Sequence, residues 1–406
     1  MDDMELSIRS YYESLGHDSQ EFLDSAVKSI IETKEHGGKV IVVTGSGPNL
    51  HEGITTLIAH LMAKGVIDGV TTSSAVVAHE MGGALDKVKR IKVPQSKLIG
   101  TLDPNTLPRG DIFELTLMDA HAWNMIRREM PIDDDLVRMC EESEGQVIIK
   151  AAGNMAYPMG LRTETVANTI HEIARICGKP FEEVAGWGCD EQTMLGIGAK
   201  MHLPVLVSIP QLVGGGYVGI AVGDSISIAE RSARIADMLA NAEVIIESAV
   251  ALTQEIHDGP FETYTGHGIW ADWNGHRTYS LKKKNLIRFD LDENLKRAWE
   301  LDKFGGDVQR AIDQGLPKTK MSKIPFRMEM SAFCRLESSI PVIGDIGVIW
   351  PVVAYKVCKA LGIELEFLSH PQQTEQGKSM REYIVSQVKP VDLDKIRQTA
   401  RTHMFN

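Results

Sequence analysis

The sequence is short of basic charge. Lys and Arg number 43 against 55 Asp and Glu in 406 residues, a formal net charge of −12. A nucleic-acid footprint needs clustered Lys and Arg, so none is expected. The one basic run, Lys282-Lys283-Lys284, reads as a solvated loop or edge. Cysteine is scarce as well. The five are Cys140, Cys177, Cys189, Cys334 and Cys358. An odd count without zinc or redox spacing excludes a disulfide framework and points to free thiols in a reducing compartment. No apolar run approaches the roughly 20 residues that cross a bilayer. The opening MDDMELSIRS is acidic and amphipathic, unlike a signal peptide. A cytoplasmic enzyme with no membrane or nucleic-acid partner is the expectation. Two catalytic signatures are missing too. The turn after the first strand reads Gly45-Ser46-Gly47-Pro48-Asn49 without the Gly-x-Gly-x-x-Gly spacing, so the ordinary dinucleotide fingerprint is absent there, and no Gly-x-Ser-x-Gly serine elbow is present. His257, His267 and His276 lack ligand spacing, and no metal site is expected.

What is present alternates between short apolar runs and helical periods. Residues 1–35 read as an N-terminal helical extension. Its second helix, Asp18 to about Thr33, carries Phe22, Ala26, Ile30 and Ile31 on one face. Lys39–Val43 is β-branched and reads as a buried parallel strand. It runs into the turn Thr44-Gly45-Ser46-Gly47-Pro48-Asn49 and the helix Ile54–Lys64. Val66–Thr72 is the next strand, with Ser73 and Ser74 placed to cap a helix. Further strands are expected at Gln146–Lys150, Leu203–Ser208, Glu243–Glu247, Ile340–Gly344 and Glu364–Leu368, with helices between them. This alternation predicts an α/β fold, a Rossmann-like parallel sheet with helices on both faces. One domain over 1–406 is expected, with 259–330 an irregular insertion or active-site segment.

The candidate binding residues sit where strands end. Ligands of open α/β sheets gather at the carboxyl ends of strands, where backbone N–H groups and helix dipoles favour phosphate. Gly45, Ser46 and Asn49 follow the first strand. Thr72, Ser73, Ser74 and, further along the helix, Glu80 follow the second. Gly214 and Gly215 follow the strand at 203–208, where backbone can approach a ligand closely. Asp345 follows Ile340–Ile343, at a position equally suited to a ribose carboxylate or an N-cap. An acidic group of Glu247, Glu255, Asp258 and Glu262, with His257 among them, suits a cationic amine and its proton.

Three segments resemble deoxyhypusine synthase: Asn49–Ile54 through Gly65–Thr72, His202–Val205 running into the glycines at 214–216, and Pro341-Val342 followed by Asp345–Pro351. The first and the Ala242–Gly259 region are also similar to archaeal-type ornithine cyclodeaminases. The resemblance implies a deoxyhypusine synthase-like fold, a bound NAD, a small cationic amine or amino-acid substrate, and a homodimer or homotetramer. It would place Asn49, Thr72, Ser73, Glu80 and Asp345 on the nucleotide side. The family's lysine-bearing segment corresponds to Phe333–Ser338, which has no lysine; Lys323 lies upstream. The expected chemistry is NAD-dependent oxidation of the amine to an imine, then deamination, cyclisation or transfer. Glu255, His257 and Asp258 would hold and deprotonate the amine, with Glu337 at the crevice wall. The alternatives are aminobutyl transfer through Lys323 and a nucleotide-binding regulator without catalysis.

Overall fold

The computed structural model describes residues 3–45, 47–92, 112–153, 158–209, 216–249, 281, 283–303, 310, 313–316, 323 and 338–405. Its centre is a short strand, β1 (Val40–Thr44), whose five residues are all buried. β-branched residues suit a strand covered on both faces. β1 pairs in parallel with β2 (Gly69–Ser73) on one side and β7 (Val244–Ser248) on the other. β6 (Val205–Ile209) extends the sheet beyond β2, and β8 (Asn285–Asp290) and β9 (Ser339–Ile343) extend it beyond β7. The order is β6-β2-β1-β7-β8-β9, parallel throughout. Counted by position in the chain, that is third, second, first, fourth, fifth and sixth: the doubly wound, Rossmann-like order.

Side chains alternate across the sheet. Val40, Val42, Val244, Ile246, Ile287 and Phe289 face the larger core, built with α2 (His17–Glu35), α4 (Ile54–Ala63) and α14 (Ile346–Ala360). Ile41, Val43, Ile245 and Leu286 face a second core with α12 (Ile228–Ala240) and α13 (Glu293–Lys303). Helices thus cover both faces, as the alternation predicted. Asp68, just before β2, accepts from Val40 N at 2.8 Å and pairs with Lys34, which fixes the two central strands at their amino ends. The outer edge of β6 is closed by Glu182, in α9 (Phe181–Gly186). Its carboxylate accepts from Val207 N at 2.7 Å and is paired with Arg231. A buried edge N–H needs such a partner.

Two expectations are corrected. Gln146–Lys150 is a strand, β5 (Gln146–Ala151), but it lies outside the parallel sheet. It joins β3 (Leu85–Lys92) and β4 (Ile112–Thr116) in an antiparallel sheet of order β4-β3-β5. In a layer covered by helices on both sides, its Lys150 and the facing Asp86 would cost several kcal/mol unless compensated. Glu364–Leu368 forms no strand. Its apolar residues are explained by packing: Phe367 stacks on His60 at 5.1 Å between ring centroids, and Leu368 is buried. Within the stretch read as irregular, residues 285–290 form β8, and α13 follows.

Candidate functional site

All strands of a parallel sheet end on one edge. β1, β2, β7 and β9 end at Thr44, Ser73, Ser248 and Ile343. The turns with Gly45, Ser74, Ala249 and Asp345 therefore share a rim. β1 and β7 are neighbours at the point where strand order reverses, and a doubly wound sheet opens a crevice there. Two turns meet at that point. Gly45 N donates to Ser248 O at 3.0 Å, and a Cβ on Gly45 would collide with the Ala249 carbonyl oxygen. Glycine is needed at 45 for this close approach. Gly47, opening the short helix α3 (Gly47–His51), has nothing within 4 Å of where a Cβ would stand. Among the described residues, nothing covers the backbone at the head of α3 there.

Asn49 holds the two turns together. It is fully buried. Its amide donates to Gly45 O at 3.2 Å and to Ser248 O at 3.1 Å, and its Oδ1 accepts from Ser248 Oγ at 2.5 Å. Trp350 Nε1 in α14 donates to the same hydroxyl at 2.8 Å. Thr44 Oγ1 donates to Thr72 Oγ1 at 2.7 Å, tying the ends of β1 and β2. Ser73 is the N-cap of α5 (Ser74–Met81) and accepts from Val76 N; Ser74 is buried beside it. Asp345, partly exposed, caps α14 by accepting from Gly347 N at 2.9 Å. Glu52, in the turn after α3, lies close to it: Glu52 Oε2 would collide with a Cβ on Gly347. Burial raises the Glu52 carboxyl above its ordinary value and Asp345 adds to the rise, against the bond from Gln372 N.

Glu80 stands apart from these turns. It is buried, and its two oxygens accept from Met194 N at 2.9 Å and Leu195 N at 3.0 Å, at the start of α10 (Met194–Met201). Burial pushes its pKa up to about 7, against the pull of those two donors. The structure thus brings Gly45, Asn49, Thr72, Ser73, Ser74 and Asp345 to one rim and sets Glu80 at a helix start. Ser46, Gly214, Gly215, Glu255, His257, Asp258 and Glu337 lie outside the described residues. Ser338, next to Glu337, accepts from Leu286 N at the amino-terminal edge of β9. Lys323 is exposed, with φ at 56°.

A charged row crosses the sheet beside the crevice. Register places Glu247 of β7 opposite Arg288 of β8, their side chains 3.4 Å apart, and Asp290 lies 3.9 Å from the same guanidinium. Glu247 and Arg288 are fully buried. Of these, Glu247 was recognisable as part of the acidic group. Arg288 and Asp290 were hidden in a stretch that reads as irregular, although charges set inside Leu-Ile-Arg-Phe-Asp were a signal.

A cavity of about 690 Å³ lies at the other end, lined by Lys39, Asp68, Leu203, Pro204, Asn241 and His403 among others. Lys39, Asp68, Leu203, Pro204 and Asn241 precede strands, at the edge away from the crevice, and His403 lies in the C-terminal helix. Among the described residues, no His, Cys, Asp and Glu group could hold a metal ion, and no helix is long and apolar enough to cross a membrane.

No family model matches the chain, and no curated protein matches it. Solved structures with a similar course of the chain include ArgZ, an arginine dihydrolase from the ornithine–ammonia cycle in Cyanobacteria. It is 11% identical with a TM-score of 0.38, over 85% of this chain and 32% of that one. AgrE, in a ternary complex with ornithine and NAD+, is 12% identical with a TM-score of 0.41, over 86% of this chain and 34% of its own. A conserved LOR/SDH protein from Methanococcus maripaludis S2 is 11% identical with a TM-score of 0.38, over 89% of this chain and 70% of its own. The chain thus spans about a third of the first two, 32% and 34%. Superpositions this coarse carry no argument about chemistry.

Proposed function

We propose that this protein is an NAD-dependent enzyme that oxidises a small cationic amine or amino acid to an imine, which is then deaminated, cyclised or transferred. The observation that carries the reading is the meeting of the β1 and β7 turns at the switch point of a doubly wound sheet, beside the head of α3. Gly45, Ser46, Thr72, Ser73, Ser74, Gly214, Gly215 and Asp345 are assigned to the nucleotide. Asn49 and Glu80, whose polar groups are engaged, serve it by holding the turn and α10 in position. The usual carboxylate at the end of the second strand is replaced by Thr72-Ser73-Ser74. That leaves Asp345, drawn toward the crevice beside Glu52, as the acidic candidate for a ribose.

The dinucleotide supplies hydride acceptance; the chain supplies binding, orientation and proton handling. An ammonium has no lone pair to form the imine, so it must first lose a proton. Glu255, His257 and Asp258 are assigned to that part of the site, because the chain leaves β7 at the switch point shortly before them. The buried Glu247 beside Arg288 adds a carboxylate on the same strand. Glu337 is kept as a candidate at the crevice wall. The test is mass spectrometry of the small molecule released on denaturation, together with NAD-dependent thermal shift. Absence of both a released nucleotide and a shift would remove the reading.

A further inference from the structure

The small antiparallel sheet carries a charged face that the reading above does not use. Asp86 of β3 stands opposite Lys150 of β5, and Arg90 opposite Glu114 of β4. Directly opposed residues share a face, as do residues two apart. Asp86, Arg90, Glu114, Thr116 and Lys150 therefore lie together. Glu114 bonds Lys150 and sits 3.2 Å from Arg90. Thr116 Oγ1 donates to Asp86 Oδ2 at 3.1 Å. Asp86 is only 7% exposed, yet its Oδ1 has no hydrogen-bond partner among the described residues. Most buried polar side-chain atoms have a hydrogen-bond partner. Both carboxylate oxygens of Glu80 and of Glu182 do.

The position of this oxygen matters. α3 leaves the crevice from β1 and α5 leaves it from β2; α3 packs on β5, and Gly153, just past β5, abuts α5 at Ala78 and His79. His79 of α5 hydrogen-bonds the Ala152 carbonyl through Nδ1. His51, ending α3, has its pKa lowered first by burial and then by the charges of Arg381 and Lys150. Asp86 and Lys150 thus belong to the sheet on which α3 packs, and Lys150 is near enough to His51 to act on its charge. The strand that presents Asp86 opens on Ala84, a buried non-glycine residue at φ 61°. Such backbone strain gathers where a side chain must be aimed.

We propose that Asp86 binds the substrate's ammonium group through Oδ1 and is the group that accepts its proton, Glu255, His257 and Asp258 then holding the amine, with Thr116 and Lys150 as positioning residues. This rests on the amine-oxidation reading. In the step, an N–H bond of the ammonium breaks and an O–H bond forms on Asp86. A neutral amine with a free lone pair and a neutral carboxylic acid result, and nothing is oxidised or reduced. Burial pushes the Asp86 carboxyl up to about 7, while Thr116 and Lys150 pull it down and Glu114 opposes them. Its proton affinity is therefore matched to neutral solution, as a general base requires.

The test is calorimetric titration of the full chain with 1,4-diaminobutane and with L-ornithine, on each side of neutral pH, with and without NAD. The wild type is expected to bind at least one amine more tightly above neutrality, as Asp86 ionises. Asp86→Asn should weaken that binding by roughly tenfold or more and flatten its pH dependence. Its NAD-dependent thermal shift should persist, and Asp86→Glu should restore part of the affinity. Thr116→Val removes a bond that favours the carboxylate, so the pH midpoint of amine binding should move up; a merely structural Thr116 would not move it. Amine binding by Asp86→Asn equal to wild type at both pH values overturns the proposal while leaving NAD binding and the broader reading intact. So does a wild type that binds NAD but neither amine. If neither NAD nor amine binds, both readings fall.

Discussion

Asn49→Ala is the substitution that most directly tests the switch-point geometry. It removes the donor to Gly45 O, the donor to Ser248 O and the acceptor of the Ser248 hydroxyl. Three buried hydrogen bonds contribute about 1 kcal/mol each, and leaving their partners without a bond adds about 1–3 kcal/mol. The expected loss is therefore about 4–6 kcal/mol, a large part of the roughly 5–15 kcal/mol that holds a domain together. Asn49→Asp is expected to be no milder. It keeps an acceptor for Ser248 Oγ but sets a buried carboxylate against two carbonyl oxygens. Guanidinium unfolding followed by tryptophan fluorescence reads the loss. Trp350 donates to the same Ser248 hydroxyl, so its signal should also change in the folded state. Nucleotide-dependent thermal shift should shrink together with stability, because the β1 and β7 turns lose their staple. An Asn49→Ala protein within about 1 kcal/mol of wild type would refute the reasoning, since it would mean that the turns hold each other without the amide.

Asp86→Asn should change stability with pH. The folded carboxyl is raised to about 7 from 3.8, so the folded state binds the extra proton across that interval and stability falls as pH rises through it. About three pKa units set a ceiling of about 4 kcal/mol on the effect. His79, lowered to about 4 mainly by burial, acts the other way, adding stability as pH rises toward 6.5. Glu80, raised to about 7, adds to the fall, so the wild-type profile sums opposing effects, and the difference between variant and wild type, read by thermal melting across pH, isolates Asp86. Asp86→Asn should gain on the wild type as pH rises; a constant difference would contradict the assignment. Glu80→Ala should cost about 3–5 kcal/mol, because two charge-assisted bonds to the start of α10 vanish. Hydrogen exchange should show α10 opening first. Glu182→Ala should cost a similar 3–5 kcal/mol by leaving Arg231 buried without its partner, and should expose Val207 N to exchange; slow exchange there would count against the edge role.

The parallel sheet was legible because its strands obey a simple local rule. Lys39–Val43 and Glu243–Glu247 are β-branched, short and bounded by polar turns, and they became β1 and β7 within a residue at each end. The rim followed from topology, since β1, β2 and β9 must all end on one edge once they are parallel. The antiparallel sheet was not legible. Its strands mix charge with apolar residues, as in Leu85-Asp86-Lys87-Val88-Lys89-Arg90, and such a pattern carries no clean alternation. β8 was masked by a basic run just before it and by charges inside it. Glu364–Leu368 misled for the opposite reason: alternation arose from residues that pack on His60 and the core without pairing.

The same contrast bears on how a site is read. Polar residues at strand ends attract attention because turns are where ligands bind. Yet Asn49, Thr72, Ser73, Asp345 and Glu80 all have polar atoms engaged inside the protein. They build the crevice, and several have little left with which to contact a ligand. Charges inside strands attract less attention, but carrying Asp86, Glu247 or Arg288 into a buried layer costs several kcal/mol unless something compensates. Glu182 shows what full compensation is, with a backbone N–H and a paired guanidinium on one carboxylate. Asp86 has one hydroxyl donor on one oxygen, Lys150 on the facing strand, and a second oxygen with no hydrogen bond among the described residues. The opposed lysine offsets part of the cost of burying the carboxylate, and an ammonium at Oδ1 would offset more.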